Sequence, residues 1–234
     1  MIRRVVVNAD DFGRSDGINR GITEAHEHGI VTSASLMVLW PAASDAAAYA
    51  LEHPDLSVGL HVDLGEWVWR DGMWPAAYER ADLTEREAVD REVRSQLERC
   101  RDLLARNPTH LDSHQHIHRR EPARSVLIAL ANELGVPLRH FDPIVKYCGD
   151  FYGQDARGEP LPHLITTSHL ISTLRRLPDG VTELACHPGH VDALESCYRT
   201  ERATELRALC DAEVRQTLTD ERIRLASFHD LNST

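Results

Sequence analysis

Four separated segments carry the residues able to do acid–base or metal chemistry. They are Asp10-Asp11, His61 with Asp63, the run from His110 to His118, and His187 with His190. Imidazoles and carboxylates ligate borderline divalent metals and move protons in hydrolysis. Each segment also has a plainer explanation. An aspartate after a strand commonly caps the next helix. Here Ser15 or Asp16 is better placed to cap, which leaves Asp10 and Asp11 without a structural task. Adjacent carboxylates raise one pKa unless a cation or hydrogen bonds intervene. A metal resolves that conflict, with one carboxylate ligating while the other stays free to move protons.

Four of the 14 histidines occupy the nine positions 110–118. On an extended strand His110, Asp112 and His114 face one way, and Leu111 and Ser113 the other. Asp112 is then placed to orient an imidazole from behind. The chain turns after His114, so spacing does not choose the ligands among His114, His116 and His118. His61, alone at the end of an apolar strand, reads as a core histidine as readily as a ligand. Pro188 and Gly189 predict a sharp turn that would hold His187 rigidly. Trp67, Trp69 and Trp74 cluster in one segment. They read first as a lid packed on the fold, and second as a stacking surface for a sugar ring.

These residues need elements to position them. Strands are expected at 3–8, 33–38, 57–61, 109–112, 137–141, 181–186 and 223–227. Helices are expected from about Ser15, from about Ser44 to before Pro54, from Thr84, from Pro122 to Gly135, and up to about Leu177. Another is expected over 201–216, and 147–162 reads as a long loop. Ile18, Ile22 and Ala25 share a helical face. Thr84 with Glu87 reads as a capping box ahead of Val89, Val93, Leu97, Cys100 and Leu104. Alternating strands and helices imply parallel strands. The expected fold is α/β, a (β/α) barrel-like sheet of about seven parallel strands in a distorted TIM-type barrel, with a doubly wound open sheet as runner-up. No repeat, low-complexity segment or linker divides the chain, so 1–234 is expected to be one domain. Every chemical segment ends a strand, and the carboxyl ends of parallel strands share one rim where active sites are built.

Composition removes other classes. The 234 residues carry a net charge of −11, which disfavours a nucleic-acid or anionic-membrane surface. No apolar run approaches the roughly 18 residues of a membrane span, and the N-terminal apolar run is too short for a signal core. The five cysteines (100, 148, 186, 197 and 210) are irregularly spaced and lack a C-x-x-C pair. A disulfide framework and a zinc-finger-type site drop out, and a cytoplasmic location is expected. No Gly-rich phosphate loop and no G-x-S-x-G elbow is present.

Asn-Ala-Asp-Asp-Phe-Gly at 8–13, Gly-Leu-His at 59–61, Thr-His-Leu-Asp-Ser-His-Gln-His-Ile-His at 109–118 and Glu-Leu-Ala-Cys-His-Pro-Gly-His at 183–190 together resemble the YdjC/ChbG family of carbohydrate deacetylases. The resemblance spans nearly the whole chain. It implies a (β/α) barrel that removes N-acetyl groups from amino sugars with a divalent cation. By motif match, Asp11, His61 and His114 would ligate the metal, Asp10 would be the general base and His187 the acid. An imidazole can hold its proton near neutral pH with modest help. Asp112, His116, His118, Trp67 and Trp69 are then candidates for orienting ligands or binding substrate. Ligand type favours Zn²⁺, with Mg²⁺ the alternative. The expected partner is a small N-acetylated sugar, with a homodimer left open and neither nucleic acid nor membrane expected.

Two rivals remain at this stage. A metal-dependent phosphoesterase would need more ligands and more positive groups than Arg14, Arg119 and Arg120 supply near the rim motifs. A non-catalytic sugar-binding or sensor protein retaining a structural metal would have no use for a free carboxylate at Asp10.

Overall fold

β1 (Arg3–Phe12) is the central strand, and its valines show how the layers are built. Successive side chains of a strand point to opposite faces. Val5, Val7 and Ala9 join the large core shared with the helices, whereas Val6 packs with Val145, Val181, Ala226 and Phe228 in a smaller cluster on the other face. Both faces are buried, as a strand covered by helices on one side and a curled sheet on the other requires.

The computed structural model describes residues 2–192, 194, 196 and 198–231. After β1 come α1 (Asp16–Glu27), β2 (Ser33–Leu36), α2 (Ala43–Glu52) and β3 (Ser57–Val62). A hairpin of β4 (Gly65–Trp67) and β5 (Ala76–Glu79) precedes α3 (Arg86–Leu104), β6 (Leu111–Ser113) and α4 (Ala123–Leu134). The chain ends with β7 (Val145–Cys148), α5 (Thr167–Arg175), β8 (Gly180–Cys186), α6 (Thr200–Leu209), α7 (Ala212–Asp220) and β9 (Ile223–Leu225). Seven strands form one sheet in the order β6-β3-β2-β1-β8-β7, and β9 pairs with the start of β1. All pairings in it are parallel. The result is a curled half-barrel, as the alternation predicts, and not a doubly wound open sheet.

The seven strands are not quite the expected seven. Residues 137–141 make only a single parallel bridge, Leu138 to Leu111, and the chain then crosses to β7, which overlaps the start of the expected long loop. The barrel is therefore open between β6 and β7, with 138–144 spanning the seam. The antiparallel β4–β5 hairpin was not legible either, because strands of three and four residues carry too little alternation. The capping box at Thr84 does not form: Asp82 Oδ1 accepts from both the Thr84 N–H and its hydroxyl, and α3 starts without a side-chain cap. The expected helix over 201–216 is two, because Asp211 accepts from Glu213 N–H and starts α7 afresh.

Elsewhere local rules hold. Ser15 accepts from Ile18 N–H and caps α1, whose Ile18, Ile22 and Ala25 are buried. Gly135 ends α4 at φ 65°, a left-handed conformation that glycine adopts without strain. Cys100, Cys148, Cys186 and Cys210 are free thiols, and Cys197 lies outside the described residues. No helix among the described residues is long and apolar enough to cross a membrane.

Candidate active site

Asp10 and Asp11 sit where β1 breaks its register with β2 between Ala9 and Phe12. Asp11 has φ 70°, in the left-handed region that a non-glycine residue enters only under constraint. On a regular strand two adjacent side chains point to opposite faces. The bulge re-aims Asp11, so that both carboxylates reach the same rim.

The two carboxylates do not share one cation. Arg139 clasps Asp10 through Nη1 to Oδ2 and Nη2 to Oδ1, both 2.7 Å, and Asn8 Nδ2 donates to Oδ1 at 2.9 Å. Arg139 also pairs with Asp112 Oδ2 at 2.8 Å and Glu183 Oε1 at 2.6 Å. Burial alone would raise the Asp10 pKa, but the Arg139 charge more than offsets it and holds the carboxyl below its usual value. Burial with too small a share of that guanidinium instead pushes Glu183 up to about 7. The expectation of a free Asp10 is therefore corrected: both its oxygens are already hydrogen-bonded by a buried arginine. Asp11 has its own cation. Arg202 Nη2 donates to Asp11 Oδ2, with Arg14 3.9 Å away. Against a burial effect in the opposite direction, Arg202, His114 and Arg14 hold the Asp11 carboxyl well below the usual range.

The other oxygen of Asp11 carries the metal argument. Oδ1 is buried without a hydrogen-bond partner among the described residues, 3.6 Å from His61 Nε2 and 3.2 Å from His114 Nδ1. One ligand-type atom from each of Asp11, His61 and His114 lies within 4.8 Å of the others. Asp112 Oδ1 holds His61 Nδ1 at 2.7 Å, which turns the other ring nitrogen towards Asp11. A carboxylate behind an imidazole fixes tautomer and orientation in this way at many metal sites. In the absence of a metal, burial would lower the His61 pKa, but the Asp112 carboxylate dominates and raises it to about 9. An orphaned carboxylate oxygen facing two imidazoles fits a divalent ion. Asp10, His61 and Asp112 also converge, but Arg139 already fills that space with its guanidinium.

His187 follows β8, with Nε2 3.8 Å from Asp10 Oδ2. The expected tight turn at Pro188-Gly189 is absent. The segment forms no turn or bend and is tied by Gly189 N–H to Arg202 O at 3.3 Å and by His190 N–H to Gly17 O at 2.9 Å. A Cβ on Gly21 would lie 2.3 Å from Gly189 Cα, so only glycine lets α1 come this close. Glu205 accepts from His187 N–H, and the Tyr152 and Tyr198 rings flank the imidazole at 5.2 and 5.3 Å. Burial pushes His187 down to about 4, despite Asp10 and Asp11. Burial thus works against the protonated imidazole that a resting acid would need.

A cavity of about 680 Å³ opens over Asp10, Asp11, His61, His114 and His187. Trp67 and Trp74 line it, but Trp69 does not; its ring lies 5.4 Å from Trp74 and under the Arg157 guanidinium. Gln115 fixes the Trp67 backbone by bonding both its N–H and its carbonyl. His116 lines the cavity, whereas His118 is buried behind it. Burial is the main reason both rings are pushed down, to about 2 and about 3. His110 stacks on Phe228 at 3.9 Å inside the barrel, where Gly59 leaves room for its ring. Asp63 anchors the hairpin through Trp40, Tyr78 and Arg80, and His190 pairs with Glu24, so neither joins the cavity.

Residue patterns missed the arginines. Arg139 stands in the expected strand 137–141, where a charge between Leu138 and Phe141 was the one available signal. Arg202 lies on α6, almost 200 positions from its partner Asp11, and nothing local marks it. Glu66, which takes Arg14 at 2.5 Å, was also missed.

This arrangement matches a known family. The profile described as YdjC-like protein matches residues 4–220. The chain belongs to the YdjC-like family. It is 35% identical over 251 residues to a carbohydrate deacetylase of Geobacillus stearothermophilus, covering 98% of each chain. A chitooligosaccharide deacetylase of Serratia marcescens is 30% identical over 269 residues, covering 99% of this chain and 100% of its own. Among solved structures, a putative cellobiose-phosphate cleavage protein of Enterococcus faecalis shares the fold with a TM-score of 0.80 at 24% identity, over 99% of each chain. A family 4 carbohydrate esterase of Streptomyces lividans shares it more loosely, at a TM-score of 0.58 and 12% identity, over 96% of this chain and 92% of that one.

Proposed function

We propose that this YdjC-like chain hydrolyses the N-acetyl group of an acetylated amino sugar or oligosaccharide, using one divalent ion held by Asp11, His61 and His114. The observation that carries this reading is the unpartnered Asp11 Oδ1 facing two imidazoles, at the floor of a cavity that also holds Asp10. The names of the Geobacillus and Serratia relatives support the substrate class. Two imidazoles and one carboxylate favour Zn²⁺, with Mg²⁺ the alternative. When bound there, such an ion supplies Lewis acidity, lowering the pKa of a water and polarising the amide carbonyl.

The chain's own groups do the rest. Asp10, ionised and held by Arg139, takes the proton of the attacking water. Its low basicity is a consequence of the arginine clasp. His187 begins neutral, with Nε2 3.8 Å from Asp10 Oδ2. The proton that Asp10 collects passes to His187 and leaves on the departing amine, so the histidine is charged only during turnover. Arg202 lines the cavity and keeps the Asp11 carboxylate ionised for the ion. Trp67 and Trp74 line the cavity, where an indole would stack on the apolar side of a sugar.

Arginines are more numerous at the site than the rim motifs suggested, and three of the four that line or support the cavity are committed to carboxylates, the exception among the described residues being Arg120 on its exposed wall. Arg139 pairs with Asp10, Asp112 and Glu183, Arg14 with Glu66, and Arg202 with Asp11. A phosphoester would find Arg120 as its one uncompensated cation among the described lining residues, fewer positive groups than a phosphate needs. The test is acetate release from N-acetylglucosamine and its oligomers, with and without a chelator. Chelator-sensitive release supports the proposal; chelator-resistant release, or none from any N-acetyl sugar, overturns it.

A further inference from the structure

A second cluster of imidazoles lies beside the first, at the seam where the barrel fails to close. His116 and His118 belong to the turn after β6, and His140 to the 138–144 crossing that takes the place of a closing strand. One nitrogen of each ring lies within 4.8 Å of the others. His140 Nε2 and His116 Nδ1 are 3.0 Å apart, sharing a single proton in the absence of a metal. His118 Nε2 is buried and has no partner among the described residues.

The remaining ring nitrogens on two of these residues are already fixed. His118 Nδ1 is 2.6 Å from Ser113 Oγ, and His116 Nε2 is 3.3 Å from the Tyr147 hydroxyl. Metal-ligating histidines characteristically use one nitrogen for the ion and anchor the other on an oxygen behind it. The backbone adds an independent sign. Gln115, His116 and His140 have φ of 49°, 52° and 69°, left-handed conformations that no glycine relieves. Strain of this kind persists only where the surroundings over-determine it, and it clusters at functional sites. Here it bends two separate segments so that their imidazoles meet.

We propose that His116, His118 and His140 form a second divalent-metal site, distinct from the Asp11 set, which takes a zinc-type ion and fastens the 138–144 crossing to the turn after β6. Three imidazoles suit zinc and leave a fourth position for water or another donor. Arg119 and Arg139, each next to one of these histidines in sequence, bring positive charge near this site. Asp10, Asp112 and Glu183 surround the Arg139 guanidinium, so the neighbourhood is not cationic overall. The ion would join two segments that backbone pairing leaves linked only at Leu138. It would also steady Arg139, and through it Asp10.

Zinc itself is the probe. Metal is stripped from the folded chain, zinc is restored, and bound zinc is counted by mass spectrometry after dialysis. The wild type is expected to hold two equivalents, and His140→Asn and His61→Ala one each. Asparagine tolerates a left-handed backbone, so His140→Asn removes the ring without adding strain there. Anomalous diffraction from zinc-loaded wild-type crystals locates the ions independently of any variant, with one peak expected between His116, His118 and His140. One equivalent in the wild type and in His140→Asn alike, with no peak among these three rings, overturns the second site. If His61→Ala keeps two equivalents while His140→Asn keeps one, the second site stands and the Asp11 ligand set falls instead.

Discussion

Replacing Asp10 by asparagine separates a base from a ligand, and its consequences can be worked out bond by bond. Oδ1 accepts from Arg139 Nη2 and Asn8 Nδ2, whereas Oδ2 accepts from Arg139 Nη1 alone. The amide oxygen of the asparagine therefore takes the Oδ1 position, and its NH₂ group meets the Nη1–H of Arg139. One hydrogen bond to a charged group is lost, a cost of about 1.5–3 kcal/mol. At about 2–4 °C per kcal/mol for a chain of this size, the melting temperature should fall by about 3–12 °C. Arg139 keeps Asp112 and Glu183, and Glu183 ionises more readily once the Asp10 charge is gone, which limits the damage. Turnover should fall much further than stability alone would explain. Loss of a general base lowers rate by about 10²–10⁴-fold, or about 3–5.5 kcal/mol on the barrier. Acetate release, bound metal and calorimetric melting are measured on the same preparation. Metal content should match the wild type. If metal disappears with activity, Asp10 is a ligand; if turnover stays within tenfold, it is not the base. Either result refutes the assignment.

Alanine at Asp11, His61 or His114 should each abolish zinc binding at that set and acetate release with it; full occupancy of the set in all three variants, seen by anomalous diffraction, sinks the ligand assignment. His187→Ala should keep its metal, lose most activity on N-acetyl sugars, and lose much less on an activated acetyl ester whose leaving group needs no proton. Equal slowing on both substrates would assign His187 a shape-keeping role. Trp74 is 47% exposed, so Trp74→Ala should raise KM with a melting temperature close to wild type. Trp67 packs against the core and is clasped by Gln115, so Trp67→Ala should lower melting as well as binding, and an unchanged KM in both variants would leave the tryptophans as packing.

Local pattern carried the fold class and the place of the chemistry. Parallel α/β architecture follows from alternating β-branched runs and amphipathic helices, and a parallel sheet puts all its strand ends on one rim. Asp10, Asp11, His61, the run from His110 to His118 and His187 could thus be placed on one rim, while the choice of Asp11, His61 and His114 as ligands came from the family resemblance. The seven-strand count was also legible, and six of the seven segments with it, the exception being β7 in place of 137–141. Residues 137–141 have strand composition and still form one bridge only, because the neighbour that would pair with them lies across an open seam.

What the sequence left undetermined depends on partners far apart in the chain. Two adjacent aspartates reach one site only because β1 bulges into a left-handed conformation at Asp11, a backbone choice set by packing against β2. Their charges are balanced by Arg139 and Arg202, which lie 129 and 191 positions away and match no local motif. The proton affinity of His187 likewise depends on its surroundings in the fold, where burial beside Tyr152, Tyr198 and Glu205 works against the charged imidazole that the resemblance implies for an acid. Residue type and spacing decided which groups are present, since those properties are local. Their orientation, pairing and charge came from tertiary structure, because burial and long-range ion pairs exist only once the chain has closed around them.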